Sequence, residues 1–299
     1  MARLALLFAT VVWGVTFVVV ERALDDLPVF HLLAYRFTLG AVLLVPLLWR
    51  RSGRRVKDLQ ALLRDAVPIG LLLFAGYAFQ TGGLLWTTPS RSAFLTGLSV
   101  LLVPAIGVVA LRNRPRPLAL AGTLAAAAGL WALFQPWGAA AASAVTFNRG
   151  DAMTVGCAVS FAAHVLLVER AVRRHPVVPL AITQFAVVAV LSAPALLFDP
   201  PTARQATANA VWAVVVTGVF ATALSFACQL YAQRRLGAVE TSVMLTLEPV
   251  VAAAYSIAIG RETAGPALLV GGVLIVLGMT LADLGSPTPE PPGAATPRS

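Results

Sequence analysis

Charge and sulfur are both scarce in this chain, and each scarcity closes off a class of protein. Only 12% of its 299 residues are charged. A soluble globular domain carries about a quarter, so a water-facing surface of ordinary size cannot be built. The two cysteines, Cys157 and Cys228, both lie inside apolar runs. Neither has a Cys or His partner at ligand spacing, so no disulfide framework and no metal site is expected. Lysine is reduced to Lys57 alone. The net charge of +9 comes from arginines in short linkers between apolar runs, where they orient a membrane protein rather than bind nucleic acid. An Asp-rich metal motif, a His–Asp pair and a clustered basic–acidic site are missing too. Those absences leave a membrane-embedded enzyme acting on a lipid-linked substrate as the alternative to a non-enzyme, with no cofactor expected. Without long loops or a soluble signalling domain, a receptor or scaffold is disfavoured.

Apolar residues, by contrast, make up 59% of the chain. They gather into ten runs, near residues 4–20, 29–49, 66–86, 92–111, 118–134, 152–168, 180–198, 208–230, 238–259 and 266–281. Each is long enough to cross roughly 30 Å of hydrocarbon. The first follows Met1-Ala-Arg3 with no small-residue cleavage site, so it reads as a retained span rather than a signal peptide. The expected fold is therefore an all-α integral membrane protein of ten transmembrane helices in contact with the lipid bilayer. With the N-terminus placed in the cytoplasm, sixteen basic residues fall in inside segments and five in outside ones. That asymmetry puts both termini inside and agrees with an even number of spans. The Pro-, Gly- and Thr-rich residues 285–299 are expected to be a disordered cytoplasmic tail.

The chain also repeats itself. Val20-Glu21-Arg22-Ala23 returns as Val168-Glu169-Arg170-Ala171, and the same shift of 148 pairs Pro28 with Pro176, Phe37 with Phe185 and Pro46 with Pro194. A shift of 149 pairs Gln80 with Gln229, Leu98 with Leu247, Gly122 with Gly271 and Gly129 with Gly278. Residues 4–134 and 151–284 thus form two repeats of five spans each. An odd number of spans turns the second repeat upside down relative to the first. Inverted repeats suit a transporter whose halves rock about a shared midplane site.

The stretch Gly237–Gly260 holds the most telling side chain. Glu248 lies at its midpoint, followed by Pro249. A carboxylate at bilayer depth costs at least about 2.5–3.5 kcal/mol, so it faces a polar interior rather than lipid. Pro249 has no N–H, which frees the carbonyl of Leu245 one turn back. On a continuous helix Thr241, Leu245, Glu248, Ala252 and Tyr255 share one face. Glu248 can serve as a partner for a substrate ammonium or as a proton-coupling group; the plainer reading is a structural acid bonded to a neighbouring helix.

Other candidates are weighed in the same way. The eighth run carries Thr222, Ser225, Phe226, Gln229 and Gln233 on one face, and the third carries Tyr77, Gln80 and Thr81. Such stripes line a cavity or hold helices together by hydrogen bonds. Trp13, Thr16 and Phe17 share a face of the first run, with Phe161 and His164 as the repeat partners of Trp13 and Thr16. Trp13 lies near mid-depth rather than in an interfacial belt, which suits a cavity wall. His164 is a proton carrier or a histidine satisfied by a single hydrogen bond. Arg36 reads as a structural ion pair with Glu21, Asp25 or Asp26 near the outer surface, or as a snorkelling side chain, in preference to a direct substrate contact. Gly122, Gly129, Gly265, Gly271, Gly272 and Gly278 mark the fifth and tenth spans as closely packed scaffold, and the tenth could supply a homodimer contact.

Trp13-Gly14, Arg36, Leu247-Glu248-Pro249 and Gly260-Arg261-Glu262, in that order and within a five-plus-five repeat, resemble the drug/metabolite transporter superfamily. Within it, the chain is similar to ten-span proteins with two EamA-type domains. The resemblance implies a permease or exporter of small organic solutes, such as amino acids or drug-like amines, in a bacterial cytoplasmic membrane. It also implies a central cavity lined by the first, third, fourth, sixth, eighth and ninth spans. Ser99-Val100 stands where the second repeat has Glu248-Pro249, so any coupling acid belongs to the second half.

Overall fold

Backbone amides cannot be left unpaired in hydrocarbon, so apolar runs of this length become helices, which satisfy every bond internally. The computed structural model describes residues 1–50, 58–112, 115–134, 147–198, 207–260 and 266–285, and among these residues there are helices and short connections but no strands. In chain order the first helices are α1 (Ala2–Ala23), α2 (Val29–Leu48), α3 (Leu59–Gly83), α4 (Pro89–Val109) and α5 (Pro117–Phe134). Then follow α6 (Arg149–Arg174), α7 (Val177–Phe198), α8 (Ala208–Gln233), α9 (Ala238–Ala258) and α10 (Pro266–Gly285). Counting the described residues only, eight of them, all but α5 and α10, are long and apolar enough to cross a membrane. Several expected positions lie outside the described residues: Arg51, Arg54, Arg55, Lys57, Arg114, Arg204, Arg261, Glu262, Gly265 and the tail beyond Gly285.

Several helices run past their apolar runs, because polar caps extend them beyond the hydrocarbon. The Asp58 side chain accepts from Ala61 N at the start of α3. Thr88 accepts from Arg91 N at the start of α4, and Thr207 accepts from Ala210 N at the start of α8. Asn148 and Asp151 close a reciprocal capping box on α6. Each cap satisfies an amide that the first turn leaves without a partner.

Two helices are broken at matching places. The helix α9 stops at Leu245 and restarts at Glu248, with Pro249 in the first turn of the new piece. The helix α4 pauses at Leu98 between Gly97 and Ser99. A third irregularity lies in α8, where Thr217–Leu224 widens into a π-helix.

Packing pairs the helices in a regular way. The helix α1 packs on α8 as α6 does on α3, and α1 packs on α9 as α6 does on α4. The contact of α2 with α8 is matched by that of α7 with α3, while α2 meets α7 and α5 meets α10 directly. Exchanging each helix for the one five places away in the order converts one contact into its counterpart. A central core gathers Phe37, Leu73, Tyr77, Phe185 and Phe226. Leu71, Trp131, Val190, Trp212 and Leu269 point outward, the apolar exterior that a helix in lipid presents.

The tightest contact is α5 on α10. A Cβ on Gly122 would stand 2.5 Å from Ala282 N and 2.6 Å from Gly278 O, and one on Gly278 would stand 2.6 Å from Gly122 O. These glycines let two backbones touch. Of the expected scaffold glycines, Gly122, Gly129 and Gly278 are used in this contact within the chain.

Candidate functional site

The cavity wall is built first from aromatic rings that need polar partners at their edges. Trp13 on α1 donates from Nε1 to the carbonyl of Ala221, 2.7 Å away, inside the π-helical part of α8. A wider turn leaves carbonyls for side chains to use, and Ser225 Oγ takes Phe220 O in the same stretch at 2.7 Å. The Trp13 ring meets Phe226 edge-on, with centroids 5.0 Å apart. Tyr77 on α3 meets Phe161 on α6 in the same manner at 5.3 Å.

Arg36 sits deeper than its expected place near the outer surface. Only 2% exposed, it donates from Nε to Thr222 Oγ1 at 3.2 Å and holds its Cζ 4.6 Å from the centre of the Tyr77 ring. Helix α2 turns this side chain toward α8 and α3 rather than toward the loop that holds Asp25 and Asp26. That loop makes other bonds. The Asp26 carboxylate accepts from Asn209 Nδ2 at 3.0 Å and Thr207 Oγ1 at 2.7 Å, and these two bonds hold its pKa below the usual carboxylate range.

Two more polar side chains are committed to neighbours. Gln80 donates from Nε2 to Thr96 Oγ1 at 3.2 Å. His164 Nε2 donates to Gln184 Oε1 at 2.9 Å, the single bond that a satisfied histidine makes. Glu248 and Gln229 differ. Neither side chain has a hydrogen bond or ion pair among the described residues, and Gln229 is only 2% exposed with its Oε1 unpartnered. Glu248 opens the second piece of α9, where the positive end of the helix dipole favours a carboxylate. Helix α1 reaches it closely because residue 14 is glycine: a Cβ there would lie 2.8 Å from Glu248 O and 2.7 Å from Val251 Cβ.

Together these side chains enclose a cavity of ≈ 790 Å³, counting the space at its mouth. Of the ten expected cavity residues, Trp13, Thr16, Tyr77, Gln80, His164, Phe226, Gln229 and Glu248 line it. Thr241 and Tyr255 do not: Thr241 is fully buried with its hydroxyl unpartnered, and Tyr255 is half-buried. Placing Thr241 on Glu248's face assumed a continuous helix, and the break after Leu245 ends that register; Tyr255 shares Glu248's helical piece but stands seven residues farther along it, away from the lining. Reasoning from sequence missed Arg36, Thr96 and Ser99 as lining residues. A signal for α4 did exist, since Thr96-Gly97 and Ser99 interrupt an apolar run at the counterpart of the α9 break. Helix α2 joins the wall through Arg36 alone. Among the described residues no group of three or more His, Cys, Asp or Glu side chains could hold a metal.

At the end of the bundle where α1 begins, polar contacts tie the helices together. Arg3 pairs with Glu240 at 3.1 Å and with Asp283. His175 Nε2 lies 2.9 Å from Asp65 Oδ2, and Arg234 donates to the carbonyls of Val172 and His175 at 2.8 and 2.6 Å. The cavity runs the other way, from Glu248 toward Val20 and Leu84.

The family model described as the EamA-like transporter family matches residues 1–135 and 148–282, two segments that together span nearly the whole chain. This chain belongs to the EamA-like transporter family. Relatives of this EamA-like protein include an uncharacterized transporter of Archaeoglobus fulgidus, 29% identical over 95% of this chain and 86% of that one. The uncharacterized transporter YyaM of Bacillus subtilis is 24% identical over 84% of this chain and 83% of its own. A solved crystal structure of a protein 23% identical aligns over 95% of this chain and 96% of the other with a TM-score of 0.75, and so shares the fold. The EamA-like chain is thus a multi-pass membrane transporter, and the enzyme alternative is set aside by what its family and relatives are.

Proposed function

We propose that this EamA-like protein moves a small organic metabolite, such as an amino acid or a drug-like amine, by alternating access across a bacterial cytoplasmic membrane. Its ten helices act as two inverted halves with both termini in the cytoplasm. The swap-symmetric contacts support that reading, since α1 on α8 repeats as α6 on α3, the relation a two-fold axis in the membrane plane produces. The polar ties at one end and the cavity extending toward the other support a state accessible from a single side.

The observation that carries the proposal is Glu248, an intramembrane acid lining a cavity without a salt bridge or hydrogen bond among the described residues. An uncompensated carboxylate in that setting is retained for solute or protons rather than for packing. Exchange of a proton at Glu248 for solute supplies the driving force. Flux in proteoliposomes tests this by comparing wild type with Glu248→Gln across imposed pH gradients. The variant should lose the response to the gradient; equal transport by both proteins at every pH would remove Glu248 as the coupling group.

A further inference from the structure

Cavity polar groups fall into two sets, and the division says what the ligand must supply. Several donors are already engaged: Trp13 Nε1 on Ala221 O, Gln80 Nε2 on Thr96 Oγ1, and Thr16 Oγ1 on Trp13 O. Arg36 directs Nε to Thr222 and covers Tyr77 with its guanidinium plane. Two acceptors are left over. Glu248 brings a carboxylate, and Gln229 brings, beside its own amide N–H groups, a buried side-chain oxygen that makes no hydrogen bond. Both line the same cavity, and α1 links them in space. Its Trp13 ring packs on Phe226, one turn before Gln229 on α8, while its Gly14 touches the backbone of Glu248.

A buried acceptor without a donor is costly, and a carboxylate beside it calls for a donor that also carries positive charge. The surrounding rings of Trp13, Tyr77, Phe161 and Phe226 suit a cation with an apolar body. We propose that Glu248 and Gln229 Oε1 form an acceptor pair for the N–H groups of a primary or secondary ammonium, with the aromatic rings holding its apolar substituent. The site therefore selects for N–H donors and rejects quaternary ammonium ions, although aromatic rings alone would welcome both. This inference rests on the transport reading above and names the chemistry of the group recognised at that same site.

The test uses the full-length protein in lipid nanodiscs and proteoliposomes with a matched pair of probes, 2-phenylethylamine and its N,N,N-trimethyl derivative. Both carry one positive charge and one phenyl ring; they differ in N–H groups. Wild type should bind and move the primary amine roughly ten- to a hundredfold better than the trimethyl compound. Gln229→Leu should shrink that ratio by weakening the amine alone, and Gln229→Glu, which keeps an acceptor, should preserve it. Equal affinity of wild type for the two probes overturns the proposal without need of any variant. So does a ratio unchanged in Gln229→Leu, or failure to bind either probe while flux of another solute is measured. In these cases transport stands and the acceptor pair falls. Absence of flux for every solute in a metabolite mixture would instead sink the transport reading itself.

Discussion

Trp13 shows how much a single side chain can do in a cavity wall. Its ring packs on Phe226 and its N–H meets a carbonyl of the π-helical turn, so it joins α1 to α8 by two different forces. Trp13→Phe keeps the ring but leaves the Ala221 carbonyl without that donor, at a cost of about 1–3 kcal/mol. Thermal unfolding in detergent should register it as a lower midpoint, and a midpoint equal to wild type would deny the bond any weight. Asp26 offers a contrasting case outside the spans. Hydrogen bonds from Asn209 and Thr207 lower its folded pKa, so its contribution is present above its unfolded value and is lost as pH falls through the folded one. The midpoint difference between wild type and Asp26→Asn should be full above about pH 4 and fade in stronger acid. A difference that grows on acidification would contradict that assignment.

Among the helices, close approach decides more than propensity. Gly278 and Gly272 sit on the same helix, yet a Cβ on Gly278 would stand 2.6 Å from backbone of α5, whereas one on Gly272 would meet Val250 Cγ1 at an ordinary 3.7 Å. Alanine is favoured over glycine inside a helix by about 0.5–1 kcal/mol. Gly272→Ala should therefore leave the melting temperature unchanged or raise it, and Gly278→Ala should lower it by forcing α5 and α10 apart. Equal shifts would mean that the α5–α10 contact is looser than described. The break in α9 belongs to the same scale. Pro249 announced a lost hydrogen bond in the sequence, but only the structure shows the two-residue gap that makes Glu248 a helix start and the close pass of α1 there at Gly14.

For the molecule as a whole, the transport proposal requires both termini on one side. Reporter fusions at Met1 and after Gly285 should both register the cytoplasm; opposite sides would dismantle the inverted pairing. Much of the helical architecture was legible beforehand, because twenty apolar residues in a row leave the backbone one way to satisfy itself. The ends of helices were less legible. Asp58 and Asn148 cap helices from beyond the apolar runs, where hydropathy carries no signal.

Sequence alone determined the membrane-embedded all-helical class, the likeness between the two halves of the chain and the prominence of Glu248, since each follows from local composition or from residues compared along one line. Only the tertiary structure decided which polar groups meet. It carried Arg36 from its expected outer ion pair to Thr222 and Tyr77, left Thr241 and Tyr255 outside the cavity, and stranded Gln229 without a donor. Those outcomes depend on how a broken helix and a π-helical turn rotate their side chains against helices distant in sequence, and periodicity along one helix contains no such information.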